Sequence, residues 1–253
     1  MTFATQTALL FRRKLLEFLR QPTWVFVGLA TPLLYLALFT PLLQPLAGSR
    51  AFPTGHVLDV FVPGILVLMA FGAGMGAGWI VIWEIETGVI ERLSVTPVSR
   101  LALLLGTVLR DVVTFVVPAL LVIVIAVPFG FHAHWAGIAM LLVLLSLVTA
   151  TVSAWSGSLG ILLRQIGSLA AVVTGLQLPL TLLSGILLPL SIAPAWLVVV
   201  AHIDPLYYAV GASRDLAAGS LGSAAVVQGF AILGAITLLM LWWATRVYRR
   251  ALA

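Results

Sequence analysis

The chain has 253 residues, 62% of them hydrophobic and only 8% charged, at a mean hydropathy of +1.19. A soluble domain carries roughly 25% charged residues, so this chain cannot cover a water-facing surface, and lipid must be its main solvent. The formal charge of +5 lies in short clusters beside apolar runs rather than in a basic groove, and cysteine is absent, which excludes disulfides, thiolate metal sites and cysteine nucleophiles.

Residues 1–22 come first. On a helical wheel Ala4, Ala8, Phe11, Leu15, Phe18 and Leu19 share one face, with Arg13, Glu17 and Arg20 opposite. This predicts an amphipathic helix on the inner membrane surface, ended by Gln21-Pro22. Arg12, Arg13 and Lys14 followed by an apolar run imitate a signal peptide, but the run over 23–43 exceeds the roughly 7–15 residues of a signal core. It reads as a retained first span, since a bilayer takes about 20 residues.

Further apolar stretches follow at 58–82, 103–127, 136–163, 166–188 and 224–244. The sequence thus predicts an all-α integral membrane domain covering 1–253 with six transmembrane helices, because uninterrupted runs of this length satisfy their backbone polar groups in lipid only as helices. With the N-terminus inside, the inner segments hold Arg12, Arg13, Lys14, Arg20, Arg92, Arg100, Arg164, Arg246, Arg249 and Arg250. The outer ones hold Arg50 and Arg214. That asymmetry puts both termini and 83–100 in the cytoplasm, with 44–57 and 189–222 outside. Trp24, Trp83, Trp135, Trp242 and Trp243 fall near the expected interfaces. In 189–223, Pro189, Pro194 and Pro205 bracket an apolar piece at 196–201 too short to cross, which predicts re-entrant or interfacial helices before the last span.

Chemistry is sparse. A phosphate-binding P-loop needs a lysine after a glycine-rich turn, and the single lysine, Lys14, stands far from any. An intramembrane serine protease needs a serine beside a histidine base. Ala154-Trp155-Ser156-Gly157 lacks the expected first glycine, and His56, His132, His134 and His202 fall in outer loops. Ser146, Thr149, Thr151, Ser153, Ser156 and Ser158 read instead as small polar packing residues. His132 and His134 have no carboxylate near them in sequence, so no metal site is expected. Gly72, Gly74, Gly76 and Gly78 form two overlapping Gly-x-x-x-Gly patterns suited to close helix packing. Arg110 and Asp111 stand inside an apolar run; as sequence neighbours they point to different sides of a helix, so each is expected to need its own partner.

The stretch 84–100, EIETGVIERLSVTPVSR, predicts a short polar helix between two spans, ended by Thr96-Pro97. Running on to Gly106, it resembles the cytoplasmic coupling region of type-2 ABC transporter permeases, the membrane subunits of drug-resistance, polysaccharide and lipid exporters. Pro205-Leu206-Tyr207-Tyr208 through Arg214 and Gly219 resembles the signature before that family's last helix, and the whole chain is similar to the daunorubicin and multidrug-resistance branch. The resemblance implies a permease of the bacterial cytoplasmic membrane, present as a homo- or heterodimer, with ATP and Mg bound by separate ATPase subunits and no cofactor in this chain. It implies coupling to the ATPase through Glu86, Gly88, Glu91, Arg92 and Pro97. Ser153, Ser156, Gln177 and Thr181 are then expected along a path for an amphiphilic drug, lipid or glycolipid-like cargo moved by alternating access. A non-transporting membrane assembly protein is the alternative from another class.

Overall fold

The computed structural model describes residues 2–20, 22–46, 48, 56–94, 99–186, 190 and 193–251. The described residues form eleven α-helices and no strand: α1 (Phe3–Leu19), α2 (Pro22–Leu43), α3 (Val57–Met75), α4 (Ala77–Glu86), α5 (Val89–Ser94), α6 (Arg100–Ala126), α7 (Trp135–Leu163), α8 (Ile166–Leu183), α9 (Ala195–Ala201), α10 (Pro205–Ala217) and α11 (Ala224–Ala251). α3 and α4 make one apolar span, Val57–Glu86, broken at Gly76. With the spans in α6, α7, α8 and α11, five helices are long and apolar enough to cross a membrane. α2 is a sixth apolar helix of 22 residues, about 33 Å long at 1.5 Å per residue.

Element ends differ from the sequence expectation where polar residues continue a helix. The second span runs past 82 to Glu86, because Glu84 is buried inside the bundle rather than starting a loop. α6 begins at Arg100 and α11 runs to Ala251. α8 closes at Leu183, before 188. The loop expected at 44–57 and the Pro189 break lie largely outside the described residues, as do Arg50 and Pro97. α9 and α10 pass together as an apolar pair but are bent by 98°, so they are not one straight span.

α7 is the hub. It packs against α3, α4, α6, α8, α10 and α11, and its small residues allow this. A side chain at Gly160 would meet the Gly78 carbonyl oxygen at 2.6 Å, and one at Gly137 would overlap the Leu216 carbonyl. Where lipid gives no hydrophobic reason for helices to associate, such close backbone approach supplies the packing energy. Around α7 lie Phe61, Ile65, Leu66, Phe115, Ile123, Leu141, Leu144 and Leu145, all nearly inaccessible. One end of the bundle gathers α1, α5, the start of α6 and the arginines that close α11; it is called the basic end below.

Candidate coupling site at the basic end

α4 ends at Glu86. Gly88, at φ +68°, takes a left-handed conformation open to glycine at little cost, and this turn sends the chain into α5. Arg92 fastens the turn: its Nε donates to the Gly88 carbonyl at 3.1 Å and its Nη2 to the Thr87 carbonyl at 2.9 Å. Glu86, Glu91 and Arg92 are exposed, so α5 presents charge outward on a fixed corner. Its inward anchor is Ile90, which packs on the cluster formed by Val81, Leu104, Val108 and Tyr248.

The stretch 84–100 is therefore not one polar unit. Of its three carboxylates, Glu84 turns inward and accepts Lys14 Nζ on both oxygens, each at 2.8 Å, and both side chains are 5% exposed. The bundle face of α1 is accordingly Thr7, Leu10 and Lys14, whereas Ala4, Ala8 and Leu19 of the expected apolar face are exposed. Leu10 fits against Gly106 of α6, and Gln6 Oε1 accepts the Ser99 amide at 3.0 Å. The solvent face of α1 mixes Leu9, Leu16 and Leu19 with the Arg13–Glu17 pair.

Arg110 and Asp111 correct the expectation that neighbours cannot pair. The long guanidinium side chain folds back, and Arg110 Nη2 meets Asp111 Oδ1. Ser153 Oγ donates to the other carboxylate oxygen at 2.5 Å. Ser153 is thus committed inside the bundle. So is Ser156, whose hydroxyl donates to the Met75 carbonyl at 2.6 Å and accepts the Gly78 amide at 3.1 Å. These two bonds serve backbone groups at the Gly76 break, where lipid offers none, and no histidine is among the described partners of Ser156. Gln177 and Thr181 lie elsewhere, half-buried on α8, with Thr181 Oγ1 donating to the Gln177 carbonyl.

The four glycines divide by face. Side chains at Gly74 and Gly78 would meet α7 backbone at 2.7 Å, at Thr149 and Ser156, whereas Gly72 faces open space and Gly76 touches only its own helix. At the opposite end of the bundle, His132 has a carboxylate partner that sequence distance hid: Asp59 Oδ2, 3.1 Å from Nδ1. His56 meets His132 edge-to-face with ring centroids 4.5 Å apart, yet no three His, Asp or Glu side chains converge as metal ligands among the described residues. There too Asp204 caps α10 through the Leu206 amide at 2.9 Å, and Arg214 donates to the Gly185 carbonyl at 2.8 Å and the Val60 carbonyl at 3.3 Å. No local signal marks the Lys14–Glu84 contact, which joins positions 70 apart.

Residues 5–217 match the family model described as ABC-2 type transporter. The chain is 28% identical over 216 residues to a protein of Cyanophora paradoxa named as the transport permease ycf38, covering 85% of this chain and 74% of that one. It is 25% identical over 212 residues to the daunorubicin resistance ABC transporter permease protein DrrB1 of Streptomyces coeruleorubidus, covering 83% and 74%. A ycf38 protein of Porphyra purpurea is 26% identical over 208 residues, covering 81% and 71%.

Proposed function

Because the chain belongs to the ABC-2 type transporter family, we propose that it is the membrane-spanning subunit of an ATP-driven exporter, with α5 as the helix that docks on a separate ATPase. The observation that carries this reading is the geometry of α5: a short helix held on a fixed corner by Gly88 and Arg92, its charges exposed and its Ile90 seated in the bundle. ATP and Mg belong to the ATPase. The only lysine of this chain is buried against Glu84, away from any phosphate. Glu86, Glu91 and Arg92 would face a groove on the partner.

The basic end would face the cytoplasm, following the arginine asymmetry. Arg246 stacked 3.8 Å over the exposed ring of Trp242 suits the headgroup layer there, and the bent α9–α10 pair would cap the outer side. A second copy, or a homologous permease, would meet the face of α8. Gly167, Ala171 and Gly175 recur every four residues and are exposed, and nothing lies within 4 Å of a side chain built at either glycine; small residues at this spacing pair helices in lipid. The cargo path would follow the same open helix past Gln177 and Thr181, between two copies whose access alternates. Ser153 and Ser156, bonded internally, would hold the wall rather than touch cargo. The relative named for daunorubicin resistance supports a drug as one class of cargo.

The test is the double substitution Glu91→Ala with Arg92→Ala, co-expressed with the ATPase and reconstituted in vesicles. Truncated charge pairs buried at an interface cost about 2–5 kcal/mol, so ATP hydrolysis and export should fall together while membrane insertion stays intact. An exposed loop would lose almost nothing, and wild-type hydrolysis and export would remove α5 from the coupling role.

A further inference from the structure

Behind α5 lies a feature that docking alone does not require. Lys14 and Glu84 form a fully desolvated ion pair between α1 and the last turn of α4, two residues before the corner at Glu86. A buried ion pair is no more stabilising than apolar side chains of the same size, and is often less so. Its presence here is therefore not explained by stability. What it does do is join two elements that otherwise scarcely meet.

The surroundings sharpen this. Ile90 of α5 borders the same small cavity as Lys14, Glu84, Thr107 of α6 and Tyr248 of α11. That cavity is about 10 Å³, the space of one water molecule at most. The Tyr248 hydroxyl is buried and makes no hydrogen bond among the described residues. Tyr248 also packs in one buried cluster with Ala154 and Ile161 of α7. One knob from the docking helix thus sits against a polar node fed by α1, α4, α6, α7 and α11.

We propose that the Lys14–Glu84 pair is a transmission clamp: it makes α1, the end of α4 and the fixed corner that carries α5 move as one piece, so that a displacement of α5 reaches α6, α7 and α11 instead of staying local to the corner. Lys14 and Glu84 are positioning residues in this scheme and touch neither nucleotide nor cargo. The clamp rests on the reading of α5 as the docking helix.

The experiment replaces the pair by apolar side chains of similar length, Lys14→Met with Glu84→Met, in the complete permease–ATPase complex reconstituted in vesicles. Removing both charges leaves no orphan, so assembly and thermal unfolding should match wild type. Hydrolysis should continue, while export per ATP falls about tenfold, the upper part of the range for coupling networks. The exchanged pair, Lys14→Glu with Glu84→Lys, should restore export to within about threefold of wild type. Wild-type export from the double-methionine variant overturns the clamp, because a purely structural pair tolerates that change. An exchanged pair that assembles and hydrolyses ATP but does not export also overturns it. Should the methionine variant fail to assemble, Glu84→Gln decides, since it keeps a hydrogen bond to Lys14 without the charge: export per ATP that falls while hydrolysis continues supports the clamp, and wild-type export contradicts it. Failure of the docking reading is seen separately, as wild-type hydrolysis and export in the Glu91→Ala, Arg92→Ala variant.

Discussion

Among the described residues, each end of the bundle carries a contact between a basic and an acidic side chain from distant parts of the chain, and the two are built in opposite ways. At the basic end Lys14 and Glu84 are each 5% exposed and share two 2.8 Å contacts. At the other end His132 is 63% exposed where it meets Asp59. Water screens the second pair, so it contributes little whichever partner is charged. The first has no water to fall back on, and its partners hold only while both are present. Where α5 arrives the chain is tied by a buried charge pair; at the other end the Asp59–His132 contact is screened, and α10 is held instead by the Arg214 bonds to the Gly185 and Val60 carbonyls.

That contrast is most easily broken by single truncations. Glu84→Ala leaves Lys14 buried and unpaired and should cost about 3–5 kcal/mol, whereas Asp59→Ala should cost less than about 1 kcal/mol. Thermal unfolding of the purified protein in detergent reads both, and similar losses would show that the two ends are not different in kind. A smaller effect is expected along the second span. Gly78→Leu drives a side chain into Ser156 and Leu169 and should cost about 1–3 kcal/mol by overpacking, while Gly72→Leu, on the open face, should leave the unfolding temperature within error. Equal losses would mean that both glycine faces are packed.

The helices were legible because lipid leaves so few options: long apolar runs, arginines at their ends and prolines at the breaks mark them directly. The short helix α5 was legible too, because Gly88 and the charges of Glu91 and Arg92 are local signals of a turn and an exposed helix. What the sequence hid is long-range. Glu84 looks like the first charge of a loop, and only the approach of α1 makes it a buried partner of Lys14. Ser153 and Ser156 look like groups able to line a path, and only the neighbouring Asp111 and the broken backbone at Gly76 show that their hydroxyls are already engaged. The four glycines read as two overlapping Gly-x-x-x-Gly patterns, both suited to close packing, but a helix turns the two patterns to different faces, and α7 occupies only that of Gly74 and Gly78. Arg110 and Asp111 mislead for another reason: backbone periodicity separates them, and the reach of arginine brings them back together.

The central claim is that α5 at the basic end receives the motion of an ATPase and the other end does not. The chain has no native cysteine, so Glu91→Cys and Ser220→Cys each provide a unique attachment point for a short cross-linker to the co-expressed ATPase in intact membranes. The account predicts a cross-linked permease–ATPase product from position 91, changing in yield when ATP is added, and none from position 220. No product at 91, or equal products from both positions, would contradict it.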